Sequence, residues 1–182
     1  MIQRDVGRRI LGCSYKTTSA AVRGELGWWT LSARRHFLVL KYWIGILLMK
    51  EYRLVKKVYN QSKREFFFKQ KSNWVKDVYK LVQRYDLVSL WNNEDLVWDI
   101  SREEKSLENV RKCWANIIFG KIGKVEREEW LKEVSSKPKL RTYKSFKAEL
   151  KFESYLESVE NIAGRHLLTA IRTGSNRDWE VD

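Results

Sequence analysis

Apolar residues recur along this chain at intervals of three and four, and almost nowhere at the two-residue interval of a strand, so the pattern predicts helices. Ile2, Val6 and Ile10 mark a short basic helix over Ile2–Leu11 that Gly12 ends, and Ala20, Ala21 and Val22 mark a second over Ser19–Leu26. After a turn at Leu26-Gly27 and the pair Trp28-Trp29, Thr30 is placed to cap a helix that begins at Leu31. This helix reaches residue 50, with Leu31, Leu38, Tyr42 and Met49 on one side and Leu40, Trp43 and Leu47 beside them. Between Phe37 and Met49 only Lys41 is charged, so the segment is apolar nearly all round. A membrane span needs about 20 apolar residues. This run is shorter and contains Lys41, which makes it the central helix of a core, with no membrane partner.

The pattern continues through Leu54, Val55, Val58 and Tyr59, which form one apolar face, while Arg53, Lys57 and Arg64 align on another with Lys56 and Lys63 nearby. Phe66-Phe67-Phe68 reads as a loop or a helix end. Ser72 is placed to cap a helix through Tyr85 that buries Trp74, Val78, Leu81 and Tyr85. Leu90, Trp91, Leu96, Trp98 and Ile100 mark a packed connector. Ser101-Arg102-Glu103-Glu104 fits a capping box ahead of a helix carrying Leu107, Val110, Trp114, Ile117 and Ile118. Gly120 and Gly123 are expected to interrupt it, with a second helix restarting through Trp130, Leu131 and Val134. Ser135-Ser136-Lys137-Pro138 is the clearest break. Beyond it, Tyr143, Phe146, Lys147 and Leu150 share helical spacing, and a last helix carries Ile162, Leu167, Leu168 and Ile171 before a tail from Thr173 to Asp182. The predicted fold is all-α: an irregular multi-helix bundle around the helix at 31–50. Residues 1–134 form the core domain, 135–138 a linker, and 139–182 a basic helical extension with its tail.

Charge changes the picture from fold to partner. In 182 residues, Lys and Arg number 36 against 23 for Asp and Glu, a net of +13. That excess predicts attraction to polyanions. It is unevenly placed: residues 50–80 hold ten bases and three acids, whereas 86–108 hold seven acids and two bases. In the first basic stretch Arg53, Lys57, Lys63, Arg64, Lys69 and Lys71 alternate with Tyr59, Phe66, Phe67 and Trp74. A second patch carries Lys139, Arg141, Lys144 and Lys147 around Tyr143. Cations neutralise phosphates, and flat rings stack on unpaired bases at about 1–3 kcal/mol each. The same aromatics also suit a helical core and the same lysines a solvated surface, so these ten cations are the candidate contacts to RNA or DNA. Phe66–Phe68 stand open between stacking and core.

Candidate chemistry is otherwise sparse. The chain has two cysteines, Cys13 and Cys113, and two histidines, His36 and His166, none at zinc-ligand spacing. Glu103, Glu104 and Glu108 cluster where a helix start favours acids anyway. No phosphate-cradling glycine loop, dinucleotide fingerprint or nucleophile elbow is present. The expectation is a protein without catalytic residues, metal or cofactor. Arg4, Asp5, Arg8 and Arg9 interrupt any secretory signal, which points to an intracellular protein.

One resemblance covers most of the chain. Arg8-Arg9-Ile10-Leu11-Gly12, Ser19-Ala20-Ala21-Val22-Arg23-Gly24-Glu25-Leu26-Gly27-Trp28-Trp29, Ala33-Arg34-Arg35 and Lys41-Tyr42-Trp43 come first. Ser72-Asn73-Trp74, Lys139-Leu140-Arg141-Thr142-Tyr143-Lys144-Ser145-Phe146-Lys147 and Arg165 to Asn176 follow in order. Together they resemble the region downstream of the reverse-transcriptase domain in non-LTR, LINE-type retrotransposons. The resemblance implies a helical segment that follows the catalytic palm and helps hold template–primer or element RNA, with the missing polymerase part as a further partner. It implies no catalytic residue, because the family's Tyr-x-Asp-Asp is absent, as are fingers, palm and endonuclease. The chain is accordingly expected to be a fragment of such a polyprotein. The alternative expectation is a helical protein-interaction module or an inert remnant of the element.

Overall fold

The computed structural model describes residues 2–69, 73–99 and 106–174. Among them the chain is helical and contains no strand. The helices are α1 (Ile2–Leu11), α2 (Ser19–Glu25), α3 (Leu31–Leu47), α4 (Leu54–Lys69), α5 (Asn73–Arg84), α6 (Val88–Asn92), α7 (Leu96–Asp99), α8 (Leu107–Ser136), α9 (Arg141–Phe146), α10 (Tyr155–Ser158) and α11 (Ile162–Thr173). A 3₁₀ turn, Pro138–Leu140, joins α8 to α9, and one isolated bridge pairs Leu26 with Phe152. The expected caps at Ser72 and Ser101–Glu104 lie outside the described residues, as do Lys71 and the tail from Ser175. No described helix is long and apolar enough to cross a membrane.

The chain packs as two compact units, one of residues 1–31 with 126–182 and the other of residues 32–125. This differs from the division expected at 135–138. The break there is real as a helix end, but Leu140 and Tyr143 beyond it are buried with Ala20, Ala21, Trp130 and Val134. Trp130 Nε1 donates to the Ala20 carbonyl at 2.8 Å, and the Tyr143 hydroxyl donates to that of Ala21 at 3.3 Å. Residues 139–174 are therefore part of a core, not an extension from it.

In this first unit α2 is buried from Ala20 to Glu25. The approach is close enough that a Cβ on Gly24 would lie 2.3 Å from the Tyr143 hydroxyl and 2.8 Å from Trp130 Cζ2, so only glycine fits. Gly27, at φ +60°, turns the chain against the backbone of Phe152 in a conformation that other residues adopt at a cost.

The second unit is organised around α3, which buries Ala33, Leu40, Trp43, Ile44, Ile46 and Leu47. Its other apolar side, Leu31, Leu38 and Tyr42, faces outward. On α5 the buried residues are Val75, Val78 and Val82, followed by Tyr85 just past its end, while Trp74 is partly exposed, which shifts part of the expected inner face by one position. Trp43, Trp91, Tyr79 and Phe66 form an aromatic cluster with ring centres 5.2–6.3 Å apart. Trp114 ties α8 to α7 through its Nε1 bond to the Val97 carbonyl at 2.9 Å.

The predicted interruption at Gly120 and Gly123 does not occur. α8 runs unbroken, and Val110, Trp114, Ile118, Ile122, Glu126, Trp130 and Val134 are all buried at four-residue spacing. Each step of four overshoots a turn of 3.6 residues by about 40°, so the buried line winds slowly round the helix. Continuous packing on that line outweighs a helical-glycine penalty of about 1 kcal/mol each.

Candidate nucleic-acid interface

The basic stretch predicted from sequence falls on α4, where of the expected apolar face only Tyr59 turns inward. Leu54, at 74% exposure, and Val58, at 56%, point out with Val55, while Lys56 and Tyr59 are buried and Lys63 and Phe66 half-buried. The positions 56, 59, 63 and 66 form a helical stripe of their own. Its polar members meet Glu94, which the acidic connector supplies. Glu94 sits 2.5 Å from Lys63 Nζ and 3.4 Å from Lys56 Nζ, and it accepts from the Tyr59 hydroxyl at 2.9 Å. Lys63 also donates to the Trp91 carbonyl at 2.9 Å and lies 4.7 Å from the centre of that ring. Trp43 Nε1 donates to the Tyr59 hydroxyl at 3.0 Å.

Burial alone would raise the Glu94 carboxyl, but Lys63, Tyr59 and Lys56 outweigh it and hold the group below the ordinary carboxylate range. Burial, partly offset by Trp43 and reinforced by Glu94, pushes the Tyr59 hydroxyl up. Lys63 is thus a structural cation, and its assignment as a phosphate contact is corrected: its charge is already met by a carboxylate inside the unit.

Outward from this network lie Arg53, Lys57 and Arg64. All three are exposed, and none pairs with a carboxylate among the described residues. Lys57 and Arg64 are seven residues apart on one face, about 10 Å along the axis. Phe68, one turn beyond Arg64, is 85% exposed, and Phe67 is exposed beside it. Phe66 turns inward onto Tyr79 and Trp91. The phenylalanine triplet therefore divides between the two roles open to it: one core ring and two exposed ones, of which Phe67 leans on Phe66 with ring centres 5.7 Å apart. Lys69 ends the helix, with its side chain outside the described residues.

In the first unit, Lys139, Arg141 and Lys144 are exposed and without carboxylate partners among the described residues. Lys147 is not. It is 3% exposed, paired with Glu153 and bonded to the Lys151 carbonyl at 2.6 Å, so it too is corrected to a structural role. Glu153 also takes Arg172 at 2.8 Å, and Arg172 reaches the fully buried Glu25 at 3.1 Å. Glu25 accepts from the Tyr155 hydroxyl at 2.7 Å. A further buried pair joins Arg23 to Glu133 at 2.6 Å and Glu126 at 3.7 Å, with Glu126 also accepting from the Thr30 backbone at 2.8 Å. Sequence reasoning missed all of these networks, because their partners stand from four to about 150 positions apart.

The remaining titratable groups occupy packing positions. His36 Nδ1 is 2.7 Å from the Tyr85 hydroxyl and its Nε2 is 3.1 Å from Ser32 Oγ. His166 borders a cleft of about 430 Å³ with Asp5, Arg8, Arg9, Gly12, Cys13 and Tyr15. Arg8 there is tied to the Thr17 carbonyl and to Asp5 at 3.7 Å. Neither cysteine forms a disulfide, and no group of three or more His, Cys, Asp or Glu among the described residues is placed to hold a metal ion. No protein-family model, curated protein or solved structure matches the chain.

Proposed function

We propose that this chain is a non-catalytic helical module that binds the backbone of RNA or DNA with low sequence specificity. Its contacts are Arg53 just before α4 and Lys57 and Arg64 on it, with Phe67 and Phe68 offering faces to unpaired bases, and Lys139, Arg141 and Lys144 around α9. What supports this reading is the division among the candidate cations: Lys63 and Lys147, which face inward, meet carboxylates, while these six face solvent and meet none among the described residues. In the setting implied by the likeness to LINE-type elements, the module would steady template–primer or element RNA beside a polymerase palm. Fluorescence anisotropy with labelled single-stranded RNA and duplex DNA, repeated across salt concentrations, tests it. Affinity should fall linearly on logarithmic axes, with a slope of about 0.7–0.9 per phosphate neutralised. Binding that ignores salt would overturn it.

A second reading, a protein-interaction module, has its own support. α1 exposes Ile2, Val6 and Ile10, and α11 exposes Ile162, Leu167, Leu168 and Ile171 while burying Thr169 and Thr173. Apolar faces turned to water on separate helices suit a chain that packs on another protein, and the polymerase part of the element is the candidate. Nile red, a neutral dye, should brighten on the folded chain and dim when Ile162 and Ile171 are changed to serine. An unchanged dye spectrum would remove this reading.

A further inference from the structure

The outward side of α3 is not flat. Leu38, Lys41, Tyr42, Ile44, Gly45 and Met49 border a groove of about 460 Å³ within the second unit, closed on its other wall by Arg111, Ala115 and Ile118 of α8. Leu38 and Tyr42 are exposed on its lip. Gly45 lies in the helix interior, where glycine costs about 1 kcal/mol relative to alanine. Nothing in this chain requires that loss, since a Cβ there would meet no atom within 4 Å. Its effect is to leave the groove open to backbone depth. Charge at the groove is of one sign: Lys41 and Arg111 are exposed without carboxylate partners among the described residues, and none of the nine lining residues is acidic.

From this geometry we propose that the groove receives an acidic amphipathic helix of another protein. Its apolar side chains, one turn apart, would lie against Leu38, Tyr42, Met49 and Ala115, its backbone would approach at Gly45, and carboxylates on its flanks would meet Lys41 and Arg111. The proposal rests on the interaction-module reading and names a partner class for one face. A second copy docking through its exposed apolar helices is the wrong sign: α11 carries Arg165 and Arg172 with no acid, and α1 carries three arginines against Asp5. A nucleic acid is the wrong texture, because the lining is mostly aliphatic and has two cations, not a row.

The test uses the full chain and a labelled synthetic helical peptide with leucines at i, i+3 and i+7 and glutamates on both flanks. Its control is the same peptide with every glutamate replaced by lysine. The acidic peptide should bind and the lysine peptide should not. Gly45→Leu, which fills the groove from an open position, should weaken binding at least about tenfold with the melting temperature kept. Lys41→Glu with Arg111→Glu should reverse the preference between peptides. The proposal falls if the acidic peptide fails to bind, if Gly45→Leu binds it as well as the parent chain, or if single-stranded RNA displaces it from the parent but not from the Gly45→Leu chain. Nile red brightening that persists without peptide binding would reject the groove alone and leave the broader reading standing.

Discussion

The Lys63 ammonium lies 2.5 Å from a carboxylate oxygen of Glu94, inside an aromatic cluster and on the most basic helix of the chain. An ion pair with one partner removed leaves the other charge partly desolvated, which costs more than the intact pair contributes.

Glu94→Gln would strand both Lys56 and Lys63. Breaking a buried pair costs about 3–5 kcal/mol, and with Glu94 still a quarter exposed the expected loss is about 2–4 kcal/mol, read from urea unfolding. The same carboxyl gives the pair a pH dependence. Its folded value is lowered, so its stabilisation is complete above the unfolded value of about 4.3 and lost as pH falls through the folded one. Glu133, lowered against the pull of burial by Lys137 and Arg23, acts in the same window. Stability should therefore decline below about pH 4.3, and Glu94→Gln should decline less steeply than the parent.

The outward apolar faces predict mutations with almost no effect on the isolated chain. Ile171→Ser on α11 and Val58→Ser on α4 should each change stability by less than about 0.5 kcal/mol, because neither side chain is buried. Ile122→Ala, at a fully buried position of α8, should cost about 2–5 kcal/mol in the same urea experiment.

Alkaline titration reads the buried hydroxyls. Burial first, with the charge of Glu94 or Glu25, pushes Tyr59, Tyr143 and Tyr155 above the ordinary phenol value. A raised folded value means that stability holds below the unfolded value of about 10 and is lost as pH rises past it. Absorbance near the phenolate band should rise in two stages, the exposed tyrosines first and these three only as the chain unfolds. Arg172→Met, which leaves the buried Glu25 without its cation, should bring unfolding to lower pH.

The all-α class was legible because three- and four-residue spacing carries it, and the starts of α1 and α2 fall where the pattern put them. The faces were harder. On α4 and α11 periodicity identified an apolar side, and the natural inference buried it. The structure turns most of that side outward, because on α4 Lys56 and Lys63 join Tyr59, the one expected inner residue, at Glu94, and on α11 Thr169 and Arg172 find Tyr155 and Glu25. Hydropathy along a helix ranks its faces, whereas the partner that can satisfy a polar face comes from distant sequence. α8 misled in another way. Its buried line drifts round the helix, so no single face stood out and two glycines looked like an end. Among the candidate cations the sequence could not separate Lys63 from Arg64. They are neighbours, and only the helix phase relative to Glu94 makes one structural and the other free.

That separation is what salt dependence measures most directly. Arg53, Lys57 and Arg64 are changed together to glutamine, Lys63 alone to glutamine, and each chain is titrated with the same single-stranded RNA across salt concentrations. The triple variant should lower the slope of log affinity against log salt by about 2, near 0.7 for each lost phosphate contact. Lys63→Gln should keep the parent slope while unfolding at lower urea. A triple variant with the parent slope, or a Lys63→Gln chain that loses as much slope as one outward cation would supply, would contradict the account.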